Sequence, residues 1–194
     1  MKATLCSRNA HKASELEALL PGWEIEPLDA DDYPEETGET YYDNAMIKAA
    51  FGRARTGAAV WVIAEDSGIE VTALGGEPGV HSARYAPEGP PAIAKLLAEL
   101  EGVEDRRARY VSELIAVAPH PDGTELRGTG TVEGRIADAP HGSGGFGYDP
   151  VFVPDGEERT VGELGDDWKN EHSHRARSAR ALREALERFL LAGE

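Results

Sequence analysis

Residues 60–68 read VWVIAEDSG, and this segment decides the fold class of the 194-residue chain. Its first five residues, 60–64, are apolar and rich in residues that favour β-structure, and the run ends in the acids Glu65 and Asp66. A continuous apolar run of this length is typical of a strand that is buried on both faces of a sheet. The segment predicts a central strand that ends at Asp66, followed by a sharp turn at residues 67–68.

Further strands and helices are predicted on both sides of this strand. Thr40 and Asp43 have the spacing of a capping box and predict a helix over residues 41–55. Other predicted strands are at 2–6, 23–28, 110–118 and 126–136, and other predicted helices begin after residue 9, at residue 90 and at residue 173. Because the elements mix without strict βαβ alternation, we expect an α/β fold with a mixed sheet, in one domain spanning residues 1–194.

The charge is strongly negative but unevenly distributed. With 20 Lys and Arg against 36 Asp and Glu, the formal net charge is −16, which disfavours a broad nucleic-acid-binding surface. Residues 1–14 nevertheless carry three basic residues and no acid, whereas residues 24–43 carry nine acids and no base. This pattern suits a small polyanion near a divalent cation, although solvated helix faces would explain the charges alone.

Several classes of protein are disfavoured. The opening MKATLCSRNA has too little apolar sequence for a secretory signal, and no later stretch approaches the roughly 20 apolar residues of a membrane-spanning helix. We therefore expect a cytoplasmic protein with no membrane partner. The single cysteine, Cys6, lies in an apolar run and is predicted to be a buried core residue. The histidines lack the H-E-x-x-H spacing of a zinc site.

Two acids are candidates for metal binding and catalysis. Asp66, at the end of the predicted strand, has a carboxylate that can ligate Mg²⁺ or accept a proton from water. Glu36, in the segment EETGET, is the natural second carboxylate, because one protein carboxylate rarely holds Mg²⁺ without help. On the predicted helix, Asn44 and Lys48 share a polar face with Thr40. An acidic turn and a solvated loop are the alternatives for the two acids.

Three segments carry groups that suit a phosphate, a carbonyl edge or a flat ring. In SRNAHK, Ser7 and Asn9 supply hydrogen-bonding side chains and Lys12 a point charge, which suits a phosphate group, although an ordinary polar helix cap fits as well. In GSGGFGYDP, Phe146 and Tyr148 offer stacking surfaces among closely spaced glycines, with a plain hairpin loop as the alternative. Donors suited to a phosphate or a carbonyl edge follow at Lys169, His174 and Arg175.

Taken together, six segments closely resemble the inosine triphosphate pyrophosphatase family, also described as the dITP/XTP pyrophosphatases. In chain order these segments are SRNAHK, EETGETYYDNAMIKA, AEDSGIEV, GGEPGVHSARY, GGFGYDPVF and WKNEHSHRARSA. The match spans nearly the whole chain. The resemblance implies an elongated mixed sheet with flanking helices, two lobes around a central substrate cleft, and a homodimer.

The resemblance also implies roles for individual residues. Asp66 would be the general base and, with Glu36, a ligand of Mg²⁺. Ser7, Asn9 and Lys12 would contact the triphosphate, with Lys48 and Lys169 adding positive charge, and Ser67 would contact the substrate. Arg8, where the family commonly has glycine, could tighten phosphate binding or point to solvent. The purine would be recognised by Phe146, Gly147, Tyr148, Asp149, His174 and Arg175. The departures from the family pattern are Arg8, Glu65 and His172.

The implied activity is hydrolysis of ITP, dITP and XTP to the nucleoside monophosphate and pyrophosphate. One alternative is a house-cleaning pyrophosphatase for pyrimidine or other modified nucleotides, which the HSHR segment and the GGFGYD loop disfavour. Another is a sensor that binds a nucleotide without hydrolysis, which the paired acids Glu36 and Asp66 disfavour.

Overall fold

The computed structural model describes residues 1–7, 10–119 and 123–192, and its centre is a six-stranded mixed sheet. The strands are β1 (Lys2–Leu5), β2 (Glu24–Pro27), β3 (Trp61–Val71), β4 (Arg107–Val117), β5 (Glu125–Ile136) and β6 (Phe152–Pro154). Their order across the sheet is β2-β1-β3-β4-β5-β6. Strand β1 is parallel to both β2 and β3, whereas β5 and β6 are antiparallel.

Five α-helices accompany the sheet within the described residues. They are α1 (Ala10–Leu19), α2 (Tyr41–Arg55), α3 (Pro90–Glu99), α4 (Val161–His172) and α5 (His174–Ala192). The expected α/β class, with a mixed sheet and flanking helices, is confirmed. None of these helices is both long enough and apolar enough to cross a membrane.

The chain divides into two compact units. Unit 1 comprises residues 1–66, 112–130 and 175–194, and unit 2 comprises residues 67–111 and 131–174. The single domain over residues 1–194 and the substrate cleft stay predictions.

The core of unit 1 is built on both faces of β3. Trp61 and Ile63 pack with residues of α1 and α5, and the Trp61 ring meets Trp23 edge-on at a centroid distance of 5.5 Å. Val62 and Ala64 pack on the other face with residues of α2. Burial on both faces explains why the sequence of this strand is a continuous apolar run rather than an alternating one.

Cys6 lies in the second of these clusters, as its apolar surroundings predict. A Cβ atom added at Gly52 of α2 would lie 1.9 Å from the Cys6 sulfur, so the helix approaches the residue after β1 too closely for any side chain there. Burial raises the pKa of the Cys6 thiol to about 12. The neutral thiol is therefore a packing residue and a poor nucleophile.

The core of unit 2 contains α3, the later parts of β3 and β5, and the start of β4. Ala92, Ile93 and Leu96 of α3 pack against Ile69 and Val71, the last residues of β3. The predicted apolar stripe of α3 is thereby confirmed. Most of the remaining cluster comes from β4, β5 and the segment that leads into β6.

The predicted end of β3 is wrong. The strand continues through Glu65, Asp66, Ser67 and Gly68 to Val71 instead of turning sharply after Asp66. Ile69 and Val71 are fully buried in the unit 2 core, and their burial favours continued extension over a turn. Asp66 therefore projects from the middle of a strand.

Helix α4 is missing from the predicted elements. Thr160 and Glu163 form a capping box at its start, a signal that is present in the sequence. The helix is interrupted at Gly165, whose φ of 78° and ψ of −170° are not helical. Glycine alone adopts this conformation without strain, so the break obscures the helical pattern of a segment that is already short.

Candidate functional site

Glu36, Lys48 and Asp66 form a compact charged cluster in unit 1. The Lys48 Nζ atom lies 2.6 Å from Glu36 Oε1 and 2.9 Å from Asp66 Oδ1. Lys48 is only 6% exposed and Asp66 only 5% exposed. The two carboxylates that the sequence nominates for metal binding are thus held on one buried ammonium group.

Local sequence explains how Lys48 reaches Asp66. The capping box of Thr40 and Asp43 fixes the start of α2 at Tyr41, as predicted. Residues four apart on a helix lie on one face, so Asn44 and Lys48 project in the same direction. Both contact Asp66, because the Asn44 Nδ2 atom donates a hydrogen bond to Asp66 Oδ2 at 3.1 Å.

Burial shapes the ionisation of this cluster. It raises the pKa of Asp66, with Lys48 opposing the shift and Glu36 adding to it. Burial alone would lower the pKa of Lys48, but attraction to Asp66 and Glu36 outweighs it, and the Lys48 pKa is raised. Lys48 is therefore a permanent cation, whereas Asp66 is a carboxylate with increased proton affinity, as a general base requires.

The donor set of this cluster fits Mg²⁺ held together with a polyphosphate. Glu36 Oε1 and Asp66 Oδ1 both contact the Lys48 nitrogen, at 2.6 Å and 2.9 Å, so the two oxygen atoms lie close to each other. Within residues 1–7, 10–119 and 123–192, no group of three or more His, Cys, Asp or Glu side chains is arranged to hold a metal. Two carboxylates suit Mg²⁺, which usually takes its other ligands from water and substrate phosphates.

A second buried cluster in unit 1 is centred on Glu65. The Lys12 Nζ atom lies 2.6 Å from Glu65 Oε2, and the Arg175 guanidinium lies 3.1 Å from Glu65 Oε1 and also binds Glu15. Ser112 Oγ donates a further hydrogen bond to Glu65 Oε1. Although burial opposes the change, Arg175 and Lys12 hold the Glu65 pKa well below its usual range.

Three residues named in the sequence analysis have unexpected partners in the Glu65 cluster. Arg175, expected beside His174 as a donor to a base, has its guanidinium among the acids of unit 1. Lys12, expected on a triphosphate, contacts Glu65. Glu65, a departure from the family pattern that retains the charge, is their shared partner.

Unit 2 contains a pocket that combines one ion pair with aromatic rings. Its lining residues are Tyr110, Val132, Asp149, Phe152, Val161, Trp168, Lys169, Ser173 and His174. The Lys169 Nζ atom lies 3.1 Å from Asp149 Oδ2 and 4.6 Å from the centre of the Phe146 ring. The rings of Tyr110 and His174 are stacked, with centroids 4.5 Å apart and an interplanar angle of 6°. The structure thus brings together Phe146, Asp149, Lys169 and His174.

The glycine-rich loop positions Asp149. The Phe146 backbone N–H donates to Asp149 Oδ2 at 2.9 Å, and the Tyr110 hydroxyl donates to Asp149 Oδ1 at 3.3 Å. At Gly145, where φ is +74°, an added Cβ would lie 2.1 Å from Asp149 Oδ2. A side chain at residue 145 would therefore displace the carboxylate that binds Lys169.

Tyr148 occupies the core of unit 2 rather than the pocket lining. Its hydroxyl donates to the Ser82 carbonyl at 3.2 Å, and burial raises its pKa to about 12. Gly147 forms the turn before it, with φ at +61°. The stacking surface expected of this loop is therefore left to Phe146.

The other residues named in the sequence analysis are Ser7, Ser67, Arg8, Asn9 and His172. Ser7 is half-buried just after β1, and Ser67 is half-buried within β3. Arg8 and Asn9 lie outside the described residues. His172 lies beside Trp168, with ring centroids 5.5 Å apart.

Several residues of these clusters were missed in the sequence analysis, among them Asn44, Tyr110 and Trp168. Asn44 was placed on the correct helix face but was given no role. Tyr110 lies within a strand and belongs to no motif. Trp168 directly precedes Lys169 in WKNEHSHR, and this adjacency was the available signal.

Comparison with known proteins gives the family. A model of the Ham1 family matches residues 3–185. The chain belongs to the Ham1 family. The dITP/XTP pyrophosphatase of Symbiobacterium thermophilum is 49% identical to it over 195 residues, covering 97% of this chain and 94% of that protein. The dITP/XTP pyrophosphatase of Deinococcus radiodurans is 43% identical over 185 residues, covering 93% of this chain and 90% of that protein.

Solved structures agree with this assignment. A HAM1 protein from Coxiella burnetii matches with a TM-score of 0.83 at 35% identity, over 97% of this chain and 99% of that one. The likeness extends over nearly the full length of both Ham1 chains. The resemblance drawn from six sequence segments is therefore confirmed.

Proposed function

We propose that this protein hydrolyses the non-standard purine nucleoside triphosphates ITP, dITP and XTP to the nucleoside monophosphate and pyrophosphate. The relatives from Symbiobacterium thermophilum and Deinococcus radiodurans carry the name dITP/XTP pyrophosphatase and align over nearly the whole chain. The observation in this molecule that carries the proposal is the pair of carboxylates, Glu36 and Asp66, on buried Lys48. A polyphosphate hydrolase needs this combination of acids and fixed positive charge.

In this proposal Glu36 and Asp66 hold Mg²⁺, which supplies charge neutralisation on the phosphates when it is bound. The donor set supports Mg²⁺ over Zn²⁺, because carboxylate oxygens suit a hard cation and the nearby nitrogen is a protonated lysine. Lys48 remains charged and adds a fixed positive group beside the two acids.

Asp66 is proposed as the general base. It orients a water molecule toward the α-phosphorus and accepts its proton as the oxygen–phosphorus bond forms. The bond between the α-phosphorus and the bridging oxygen then breaks, and pyrophosphate leaves with the electron pair. The burial of Asp66, at 5% exposure, supports this role, because a carboxylate held in a fixed position can accept a proton from a neighbouring water molecule.

The triphosphate is proposed to contact the basic segment near the start of the chain. Ser7, Arg8, Asn9 and Lys12 belong to it, and Ser67 follows Asp66 directly. Since Lys12 lies against Glu65 in this structure, phosphate binding would require it to exchange one anionic partner for another. Arg175 keeps Glu65 neutralised when Lys12 turns to the phosphate.

The base is proposed to bind in the aromatic pocket of unit 2. Phe146 stacks on the purine, and Lys169 and His174 donate hydrogen bonds to its 6-oxo group, while Gly147, Tyr148 and Asp149 shape the loop. Lys169, which the resemblance assigns to the triphosphate, is proposed here for the base because its ammonium group lies over the Phe146 ring. The 6-amino group of ATP would meet these donors as another donor, and such a mismatch strongly disfavours binding. Arg175 was included among the base donors from sequence, but its contacts to Glu15 and Glu65 support a positioning role instead.

A homodimer working in the cytoplasm is also proposed, on the family resemblance. Size-exclusion chromatography with light scattering tests the dimer. A single species at twice the mass of 20.8 kDa is expected.

One assay tests the main proposal. Purified protein with Mg²⁺ is offered ITP, XTP, dITP, GTP and ATP, and pyrophosphate and orthophosphate are measured separately. Pyrophosphate release from ITP, dITP and XTP, and its loss after EDTA treatment, are the expected results. Orthophosphate as the sole inorganic product, or a preference for ATP, would overturn the proposal, and binding without any product would indicate a nucleotide sensor.

A further inference from the structure

Asn44 links the two halves of the proposed metal-binding pair. Its side chain is fully buried, with 0% exposure, on the face of α2 that meets β3. Its Oδ1 atom accepts a hydrogen bond of 2.8 Å from the Gly38 backbone N–H, two residues after Glu36. Its Nδ2 atom donates a hydrogen bond of 3.1 Å to Asp66 Oδ2.

The orientation of this amide is determined by its partners. A backbone N–H can only donate, so the carbonyl oxygen of Asn44 must face Gly38. The amino group then faces Asp66, whose carboxylate can only accept when ionised. Among uncharged side chains, only the amides of asparagine and glutamine offer an acceptor and a donor in this order. Glutamine is one methylene longer.

The loop that carries Glu36 is held against α2 by this contact at its Gly38 end, in addition to the Arg55–Asp32 and Tyr33–Phe51 contacts earlier in the loop. Residues 28–38 form neither a helix nor a strand, so the loop has no ladder of backbone hydrogen bonds to hold it. A Cβ atom added at Gly38 would lie 2.8 Å from both the backbone nitrogen and the Oδ1 atom of Asn44. The loop backbone therefore lies directly against the start of α2.

We infer that Asn44 is a positioning residue that sets the separation of Glu36 and Asp66 by hydrogen-bonding to the Glu36 loop and to the Asp66 carboxylate simultaneously. This inference rests on the proposed function. Lys48 also contacts both acids, but through charge, and a cation bound by the same acids competes with it for those oxygens. Asn44 holds the separation of the two acids without contributing charge. Its hydrogen bond goes to Asp66 Oδ2 and leaves the Oδ1 atom of Asp66 to other partners.

Two substitutions separate the two contacts. Asn44→Asp keeps an acceptor for the Gly38 N–H but turns an acceptor toward Asp66, so the Asp66 contact is lost and repulsion replaces it. Asn44→Leu has a similar volume and loses both contacts. Ala50→Asp, at an exposed position on the same helix, is the control for the added negative charge.

The kinetic measurement is the Mg²⁺ dependence of pyrophosphate release from ITP. Groups that orient metal ligands are typically worth about 10- to 100-fold in metal affinity or activity. Both Asn44 variants are expected to raise the half-saturating Mg²⁺ concentration or lower kcat by this factor. The KM for ITP at saturating Mg²⁺ is expected to stay within about twofold, and Ala50→Asp should behave as the wild type.

A second measurement needs no activity. Amide-resolved hydrogen exchange in the absence of nucleotide is expected to show the Gly38 amide protected in the wild type and in Asn44→Asp, and exchanging faster in Asn44→Leu. Gly38→Ala changes the same contact from the loop side without altering the buried helix face, so it serves if an Asn44 variant does not fold. It is expected to accelerate exchange and to raise the Mg²⁺ requirement.

The outcomes separate this inference from the proposed function. Unchanged Mg²⁺ dependence and kcat in folded Asn44→Asp and Gly38→Ala would overturn the role of Asn44, as would an effect confined to the KM for ITP. A wild-type protein that releases no pyrophosphate would overturn the proposed function, while the exchange of the Gly38 amide would still show whether Asn44 holds the loop.

Discussion

Lys48 in unit 1 and Lys169 in unit 2 are almost equally buried, at 6% and 5% exposure, yet their surroundings differ. Lys48 is shared by two carboxylates, Glu36 and Asp66. Lys169 pairs with Asp149 and lies over the Phe146 ring. The same side chain thus belongs to a cluster of charges in one unit and lies against an aromatic ring in the other.

Burial alone therefore does not determine the role of a lysine. Two nearby acids make the neighbourhood of Lys48 attractive to a divalent cation. The aromatic face of Phe146 and the Asp149 carboxylate orient Lys169 as a directional hydrogen-bond donor. On this distinction, substitutions in unit 1 should act mainly on kcat, and those in unit 2 mainly on KM and base preference.

The largest effect is expected for Asp66→Asn, which removes the proposed base and one metal ligand. A positioned base typically contributes about 10²- to 10⁴-fold to the rate. The kcat for pyrophosphate release from ITP should fall by at least this factor. Asp32→Asn, at an exposed acid of the same unit, is the matched control. A variant that retained half of the wild-type turnover would remove Asp66 from the mechanism without affecting the family assignment.

The next effect is expected for Lys48→Met, which keeps much of the side-chain length but removes the charge. Loss of one group that stabilises charge on a reacting centre costs about 10²- to 10³-fold in kcat. The variant should also unfold at a lower temperature, because Asp66 is left buried without its cation. Lys2→Met, at a well-exposed lysine, should change neither quantity. An effect on KM alone would contradict the distinction between the two lysines.

A smaller effect, and of a different kind, is expected for Lys169→Met. The KM for ITP should rise by about 10- to 100-fold, which is the usual worth of a hydrogen bond from a charged donor. The preference for ITP over ATP should fall, while kcat changes less than in Lys48→Met. Asn170→Ala, at the exposed neighbouring residue, is the control. Equal losses of kcat for Lys169→Met and Lys48→Met would mean that the two sites are not divided as described.

The smallest effect is expected for Trp168→Leu, which removes one aromatic side of the unit 2 pocket. The indole is held by a hydrogen bond from its Nε1 atom to Glu157 at 3.2 Å. Loss of an aromatic contact is worth about threefold to tenfold in binding, so the KM for ITP should rise by that factor with kcat unchanged. Trp23→Leu, in the core of unit 1, should instead lower thermal stability and leave KM alone.

Features encoded by neighbouring residues could be predicted from the sequence. The capping box of Thr40 and Asp43 gave the bounds of α2, and helical spacing then placed Asn44 and Lys48 on one face. Glu36 and Asp66 were predicted as metal ligands because carboxylate oxygens suit Mg²⁺, and this role stays a prediction. These inferences use interactions between residues that are close in the chain.

Features that depend on distant residues could not be predicted. Strand β3 continues beyond Asp66 because Ile69 and Val71 are buried by elements found much later in the sequence. Arg175 lies on Glu65 and Glu15, which are 110 and 160 residues away. No local pattern indicates such pairings. Arg175 directly follows His174, so the sequence suggests that both belong to one recognition motif. Only the fold shows that the two residues belong to different units.

The buried pairing of Glu65 with Arg175 has a consequence for how this protein diverges. Replacing either partner alone removes one opposite charge from the other in the interior, although Lys12 still contacts Glu65 and Glu15 still contacts Arg175. Breaking a buried ion pair from one side typically costs about 3 to 5 kcal/mol. Most single replacements at these two positions are therefore eliminated by instability before their effect on catalysis matters. The two residues should be inherited as a pair, and a lineage that loses one should have lost or compensated the other.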